Sequence, residues 1–120
     1  MKTTKENVTN IIKELGIPAN VKGYHYIRCG VELMINDSEL MCSMMPLYKK
    51  VAKCFNTTPS RAERAIRHAI EVGWDRANVD FAKKMFGYSV DDKVKPTNSE
   101  FLATIADYVL VSGDCEKGGE

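Results

Sequence analysis

The sequence has 120 residues, enough for one domain with a single hydrophobic core and no need of disulfides or metal. Hydrophobic residues make up 44% and charged residues 28%, a globular composition that excludes a disordered or collagen-like chain. The 17 Lys and Arg against 16 Asp and Glu give a net charge of +1, which excludes a polybasic protein that binds by bulk charge alone.

Apolar residues at helical spacing predict helices from the start of the chain. A first helix carries apolar residues at i, i+3, i+4 and i+7 from Val8, and Gly16 and Pro18 end it. A second helix covers residues 24–36. Residues 40–45 form a short apolar turn or helix, whose methionines we interpret as adaptable core filler rather than as a binding groove.

Two further helices follow, separated by a tight turn. Pro46 suits the first turn of a third helix, which carries apolar residues as far as Phe55. Thr58 is a good N-cap, and Pro59 a good first residue, for a fourth helix that ends near Asp75.

The last third of the chain predicts two more helices. A fifth helix covers residues 79–85, with Asn78 as its cap and Gly87 at its end. Residues 97–100 have the capping-box pattern that opens a final helix. The Gly-rich, polar end at residues 112–120 is expected to fray.

These elements predict one all-α domain. We expect the domain to cover residues 6–111, between a flexible N-terminus at 1–5 and a flexible tail at 112–120. Few segments have the alternation typical of strands, and the sequence has neither an internal repeat nor a low-complexity linker.

The sequence also predicts where the protein acts. No stretch approaches the roughly 18 apolar residues of a membrane span, and the polar N-terminus lacks the apolar segment of a signal peptide. We therefore expect a cytoplasmic protein with reduced cysteines and with neither a metal nor another cofactor.

Three of the four cysteines lie in apolar patterns and none forms a C-x-x-C pair, so we interpret them as small buried side chains rather than zinc ligands. The four are Cys29, Cys42, Cys54 and Cys115.

The third and fourth helices match a helix-turn-helix, in which a scaffold helix and a short turn hold a second helix that fits the major groove. Ala52 is the small residue that lets the second helix cross the first, and Asn56 tolerates the left-handed conformation that the turn needs. The apolar stripe of the second helix consists of Ala62, Ala65, Ile66, Ala69 and Ile70. The predicted fold is thus a compact all-α bundle of about six helices that contains a helix-turn-helix.

The opposite face of the fourth helix, about residues 59–75, carries arginines rather than lysines. The planar arginine fork matches the two acceptors on the major-groove edge of guanine, and glutamate can accept from the cytosine amino group. Residues near the start of a recognition helix reach the bases, so the expected base readers are Arg61, Glu63 and Arg64. The expected phosphate or mixed contacts are Ser60, Arg67 and His68.

Two other interpretations of this face stay open at this point. Arginine and glutamate at helical spacing are often only a solvated face with weak ion pairs. The face could instead bind an acidic partner, which would make the domain a protein-interaction module. An enzyme is not expected, since the sequence has no phosphate-binding glycine loop, no H-E-x-x-H and no nucleophile elbow. No catalytic residue is therefore assigned.

Five blocks, in order along nearly the whole chain, resemble a known family. They are residues 7–12, 22–24, 55–72, 86–88 and 95–101, of which 55–72 reads FNTTPSRAERAIRHAIEV. They are similar to the C-terminal effector domain of the sporulation master response regulator, the stage 0 sporulation transcription factor, of endospore-forming Firmicutes. The cysteines and the divergent interior indicate a clostridial relative.

The resemblance implies a six-helix DNA-binding domain that recognises a short promoter box, often present in tandem copies. Family base contacts fall on Arg61, Glu63 and Arg64, with Arg67 and His68 also at the DNA. Family members activate some promoters and repress others at the onset of sporulation. The resemblance also implies a two-component phosphorelay that acts through a receiver domain absent from this chain, and self-association on tandem sites spaced about 34–36 Å apart.

The resemblance further implies a contact with the housekeeping sigma factor of RNA polymerase. This surface lies around the fifth helix and the loop that follows it, residues 77–88. The residues expected to make the contact are Ala77, Lys83, Phe86 and Tyr88.

Overall fold

A computed structural model describes the backbone of residues 4–118 and the side chains of residues 5–112. The helices are α1 (Thr4–Glu14), α2 (Lys22–Asn36), α3 (Met44–Cys54), α4 (Pro59–Trp74), α5 (Val79–Phe86) and α6 (Asn98–Gly118). Two 3-10 turns, Ser38–Met41 and Val90–Asp92, precede α3 and α6. Six helices and no strand in the described part of the chain confirm the predicted all-α fold.

The predicted capping residues satisfy backbone groups at the helix ends. The Thr58 hydroxyl accepts from the Arg61 amide at 3.2 Å, and the Asn78 side chain accepts from the Phe81 amide at 3.0 Å. The Thr97 hydroxyl accepts from the Glu100 amide at 3.1 Å at the start of α6. Each cap pairs an amide that the helix itself leaves without a partner, which is why these short polar residues predict helix starts well.

The last helix ends later than its apolar pattern indicates. Val109 is the last buried residue among the described side chains of α6, which end at Ser112, whereas the helical backbone continues to Gly118. Once a helix exists, each further residue adds a hydrogen bond at little entropic cost, so an apolar face is not needed to continue it. The predicted flexibility of residues 1–5 and 112–120 stays a prediction, since 1–3 and 119–120 lie outside the described residues.

Helix α2 lies at the centre of the bundle, in contact with α1, α3, α4 and α6. Its closest neighbour is α4. A Cβ atom on Gly23 would lie 2.2 Å from the Ala65 carbonyl oxygen and 2.5 Å from the Ala69 Cβ. A residue without a side chain is therefore required where α2 crosses α4. This crossing fixes the depth at which α4 sits on the core.

The segment between α5 and α6 packs on the end of α4. Trp74 is fully buried, and its Nε1 donates to the Val94 carbonyl at 2.8 Å. The 3-10 turn in this segment has a capping box formed by Ser89 and Asp92, an element that the sequence analysis did not predict. The hydrogen bond from Trp74 ties the segment to α4 and so places the start of α6.

The expected burial of three side chains is wrong. Cys54, the last residue of α3, and Cys42, which follows the first 3-10 turn, are both exposed, whereas Cys29 is half-buried. Among the methionines interpreted as core filler, Met45 is 55% exposed. All three lie at or beside an element end, where the chain turns away from the core. The side chain of Cys115 lies outside the described residues. No helix in the described part of the chain is long and apolar enough to span a membrane.

Candidate nucleic-acid interface

The turn between α3 and α4 has the geometry that the sequence predicts. Asn56 adopts the left-handed conformation, with φ of 53°. The Thr57 amide donates back to the Ala52 carbonyl at 2.9 Å, which closes the end of α3. Thr58 then caps α4, so only four residues separate the two helices. Helices α3 and α4 thus form a helix-turn-helix.

The inner face of α4 buries the predicted stripe. Ala62, Ile66, Ala69 and Ile70 are buried against the core, and Ala65 is half-buried beside Gly23. Ala52 of α3 is buried as well. The small side chains permit a close approach of the helices and the isoleucines bury apolar area, so α4 is held along its length with its opposite side facing solvent.

The predicted DNA-reading residues on the outer face of α4 differ in whether their side chains are already paired. Arg61 and Arg64 are exposed, and within the described residues neither side chain makes a hydrogen bond or an ion pair. Glu63 is partly buried and pairs with Arg67 one turn further along, through a contact between Oε2 and Nη1. Two guanidinium groups are therefore unengaged at the start of the helix, while Glu63 and Arg67 already neutralise each other. Ser60 and His68 are exposed beside them.

Helix α3 carries three exposed lysines in addition to the arginines of α4. Lys49, Lys50 and Lys53 are all exposed on this helix, which precedes the turn. In helix-turn-helix proteins the first helix crosses the DNA backbone, where lysines can contact phosphates. These lysines were not among the predicted contacts, although their spacing along a predicted helix is visible in the sequence.

A buried side chain joins α6 to both helices of the helix-turn-helix. Asn98 donates through Nδ2 to the Tyr48 hydroxyl at 3.0 Å and to the Glu63 carbonyl at 3.1 Å. Burial raises the pKa of the Tyr48 hydroxyl above its ordinary value. This contact was not predicted, because Asn98 lies between the two residues that define the capping-box pattern, Thr97 and Glu100, and nothing in its local sequence indicates a long-range partner.

The residues expected to contact a sigma factor lie in different environments. Lys83 is exposed on α5, whereas Ala77 is only 9% exposed. Phe86 and Tyr88 are half-buried in an aromatic cluster, where the Phe86 ring lies 5.2 Å from Trp74 and 5.8 Å from Phe101. Of these four residues, only Lys83 is exposed.

The described side chains include no group of three or more His, Cys, Asp and Glu that could hold a metal ion. The chain matches a protein family over residues 8–109, and that family is described as the C-terminal domain of the sporulation initiation factor Spo0A. The chain belongs to this family, whose domains bind DNA as sporulation transcription factors and are not enzymes. The match confirms the family resemblance of the five sequence blocks.

Proposed function

We propose that this Spo0A C-terminal domain reads the sequence of duplex DNA with α4 in the major groove, and that it both activates and represses promoters at the onset of sporulation. The observation that supports this proposal is the unengaged pair Arg61 and Arg64, directly after the turn of the helix-turn-helix. A major groove about 12 Å wide admits a helix about 10–12 Å across, and the start of that helix then meets the base edges.

The chemistry of each residue suggests its role. Arg61 and Arg64 would donate in bidentate fashion to the two acceptors of guanine, and Glu63 would accept from a cytosine amino group. Glu63 is paired with Arg67 in the free domain, so base reading by its carboxylate requires it to leave or share that ion pair. Ser60, Arg67 and His68 would hold phosphates or take mixed roles.

Binding measurements on two arginine variants test this proposal. The probe is a duplex that the unmodified domain selects from a randomised library, and its competitor is a scrambled version of the same duplex. R61A and R64A should each lose about 1–3 kcal/mol on the selected duplex and relax the preference at the contacted base. R76A is the matched control, because Arg76 is exposed just beyond the end of α4. Retention of the unmodified preference by both R61A and R64A contradicts the assignment of base readers.

The same measurements separate DNA reading from binding to an acidic partner. An interaction module that only uses positive charge would bind selected and scrambled duplexes equally at moderate salt. A sequence reader keeps its preference as salt rises, while its affinity for both duplexes falls with a slope that counts the phosphate contacts. Lys49, Lys50 and Lys53 should contribute to that slope and not to the preference.

Three further parts of the proposal concern the two partners of the domain and its location in the cell. Two copies would bind tandem boxes on one face of the DNA, with centres about 34–36 Å apart. The α5 region would contact the polymerase sigma factor, and Lys83 is the exposed one of the four residues assigned to that contact. A regulator of chromosomal promoters would act in the cytoplasm.

A further inference from the structure

Asn98 makes two hydrogen bonds that connect three helices. It is the first residue of α6 and only 8% exposed. One N–H of its amide donates to the Tyr48 hydroxyl of α3, and the other donates to the Glu63 carbonyl of α4. These distances, 3.0 and 3.1 Å, are ordinary for good hydrogen bonds, so both donors of the amide nitrogen are used.

The carbonyl that Asn98 contacts belongs to the part of α4 expected to read bases. Glu63 lies between Arg61 and Arg64 in sequence, and its side chain pairs with Arg67. A bond from a neighbouring element to a main-chain carbonyl resists rotation of a helix about its own axis. A rotation of α4 would turn the arginines towards or away from the base edges.

Packing alone does not hold this edge of α4. A cavity of about 380 Å³ lies beside Asn98, between α3, α4 and the segment that enters α6. Its lining includes Tyr48, Glu63, Arg67 and Pro96. Gly23 and the apolar stripe fix the depth of α4 from its opposite side. At the cavity, the two hydrogen bonds from Asn98 connect α6 with α3 and with the first half of α4. Lys95, which also lines the cavity, pairs with Asp75 at the far end of α4, at 3.9 Å.

We propose that Asn98 is a positioning residue for base reading, which holds α4 at the rotation that its arginines need. This inference rests on the proposed function. Loss of the bond to Glu63 should reduce discrimination between base sequences more than it reduces binding to phosphates, because base hydrogen bonds depend more steeply on geometry than phosphate contacts do.

Two variants of Asn98 test the bond, and two neighbouring variants serve as controls. N98D keeps an oxygen that can accept from Tyr48 but has no donor for the Glu63 carbonyl, and N98A removes both bonds without adding charge. Y48F removes the hydroxyl and leaves the bond to Glu63. T97A removes the cap of α6, and so lowers stability at the same helix end without touching α4.

The measurement is the ratio of affinities for the selected and scrambled duplexes, alongside the urea midpoint of each variant. N98D and N98A should each lower the ratio about tenfold, which corresponds to the contribution of one good base contact. Y48F and T97A should keep most of the unmodified ratio, although T97A unfolds at lower urea. If one of the two Asn98 variants does not fold, the affinity ratio of the other variant tests the inference.

Two results would overturn the inference. One is an unchanged ratio in the folded Asn98 variants. The other is an affinity ratio that falls in T97A as much as in N98A. The loss of discrimination would then result from lower stability and not from the missing hydrogen bond to Glu63. Failure of the proposed function is distinguishable, since the unmodified domain itself would then show no preference between the two duplexes.

Discussion

Replacement of Gly23 by alanine tests how closely α2 must pack against α4. The added Cβ would lie 2.2 Å from the Ala65 carbonyl oxygen, whereas an ordinary contact between carbon and oxygen is about 3.3 Å or more. The two helices would have to separate by about 1 Å, and the atom in the way is main chain, which cannot rotate aside as a side chain can. Overpacking of this kind costs about 1–3 kcal/mol of the free energy of unfolding.

Gly30 provides the matched control on the same helix. A Cβ at Gly30 would lie 3.5 Å from Leu102 Cδ1 and 3.6 Å from Leu47 Cδ2, which are ordinary van der Waals contacts. Alanine is the better helix former, so G30A should gain about 0.5–1 kcal/mol. G23A gains less from helix propensity, because Gly23 lies in the first turn of α2. We therefore expect the two variants to differ by about 1.5–4 kcal/mol, with opposite signs relative to the unmodified domain.

Urea unfolding followed by circular dichroism at the helix band measures this difference. G23A should shift the midpoint down, and G30A should shift it up, with the slope of both transitions unchanged. G23A should also lose preference for the selected duplex, because α4 is displaced. Equal stability of G23A and G30A would falsify the argument that main-chain contact between α2 and α4 sets the depth of α4.

Three further substitutions or modifications test individual features. N56A should lose about 1 kcal/mol of the free energy of unfolding in urea, because alanine tolerates the left-handed conformation poorly. N56G should be at least as stable as the unmodified domain. Equal losses of stability in both variants would point to a role for the asparagine side chain instead. T58A should lose about 1 kcal/mol through the missing cap on the Arg61 amide, while T58S keeps it; an unaffected T58A contradicts the capping role. Burial raises the pKa of the Cys29 thiol to about 12, so at pH 8 iodoacetamide should modify Cys29 far more slowly than the exposed Cys42 and Cys54. Peptide mapping by mass spectrometry measures the three rates, and rapid labelling of Cys29 in the folded domain would contradict its burial.

The helices of this domain could be predicted from the sequence because the signals that define them are local. Thr58 and Pro59 predict the start of α4 and the structure confirms it, as it confirms the left-handed Asn56 before them. The side on which Arg61 and Arg64 lie follows from the helical repeat once the buried stripe is known. Their role as base readers stays a prediction.

Burial near element ends was predicted less well. The pattern around Cys54 is apolar, yet this residue ends α3 and faces solvent. An apolar neighbourhood in sequence reports burial only while the chain continues in one regular element. At an end, the direction of the next element decides which side chains are covered.

Local signals are enough to predict the helices, the turn and the residues on the outer face of α4, since each depends on residues within one or two turns of one another. How α4 is held depends on contacts between distant parts of the chain. Asn98 reaches residues 50 and 35 positions away, and Gly23 contacts the main chain of α4, two helices later. Such contacts leave no periodic trace in the sequence, because an asparagine or a glycine near a helix start is common for local reasons. Only the packed bundle brings Asn98, Tyr48 and the Glu63 carbonyl together at the edge of α4.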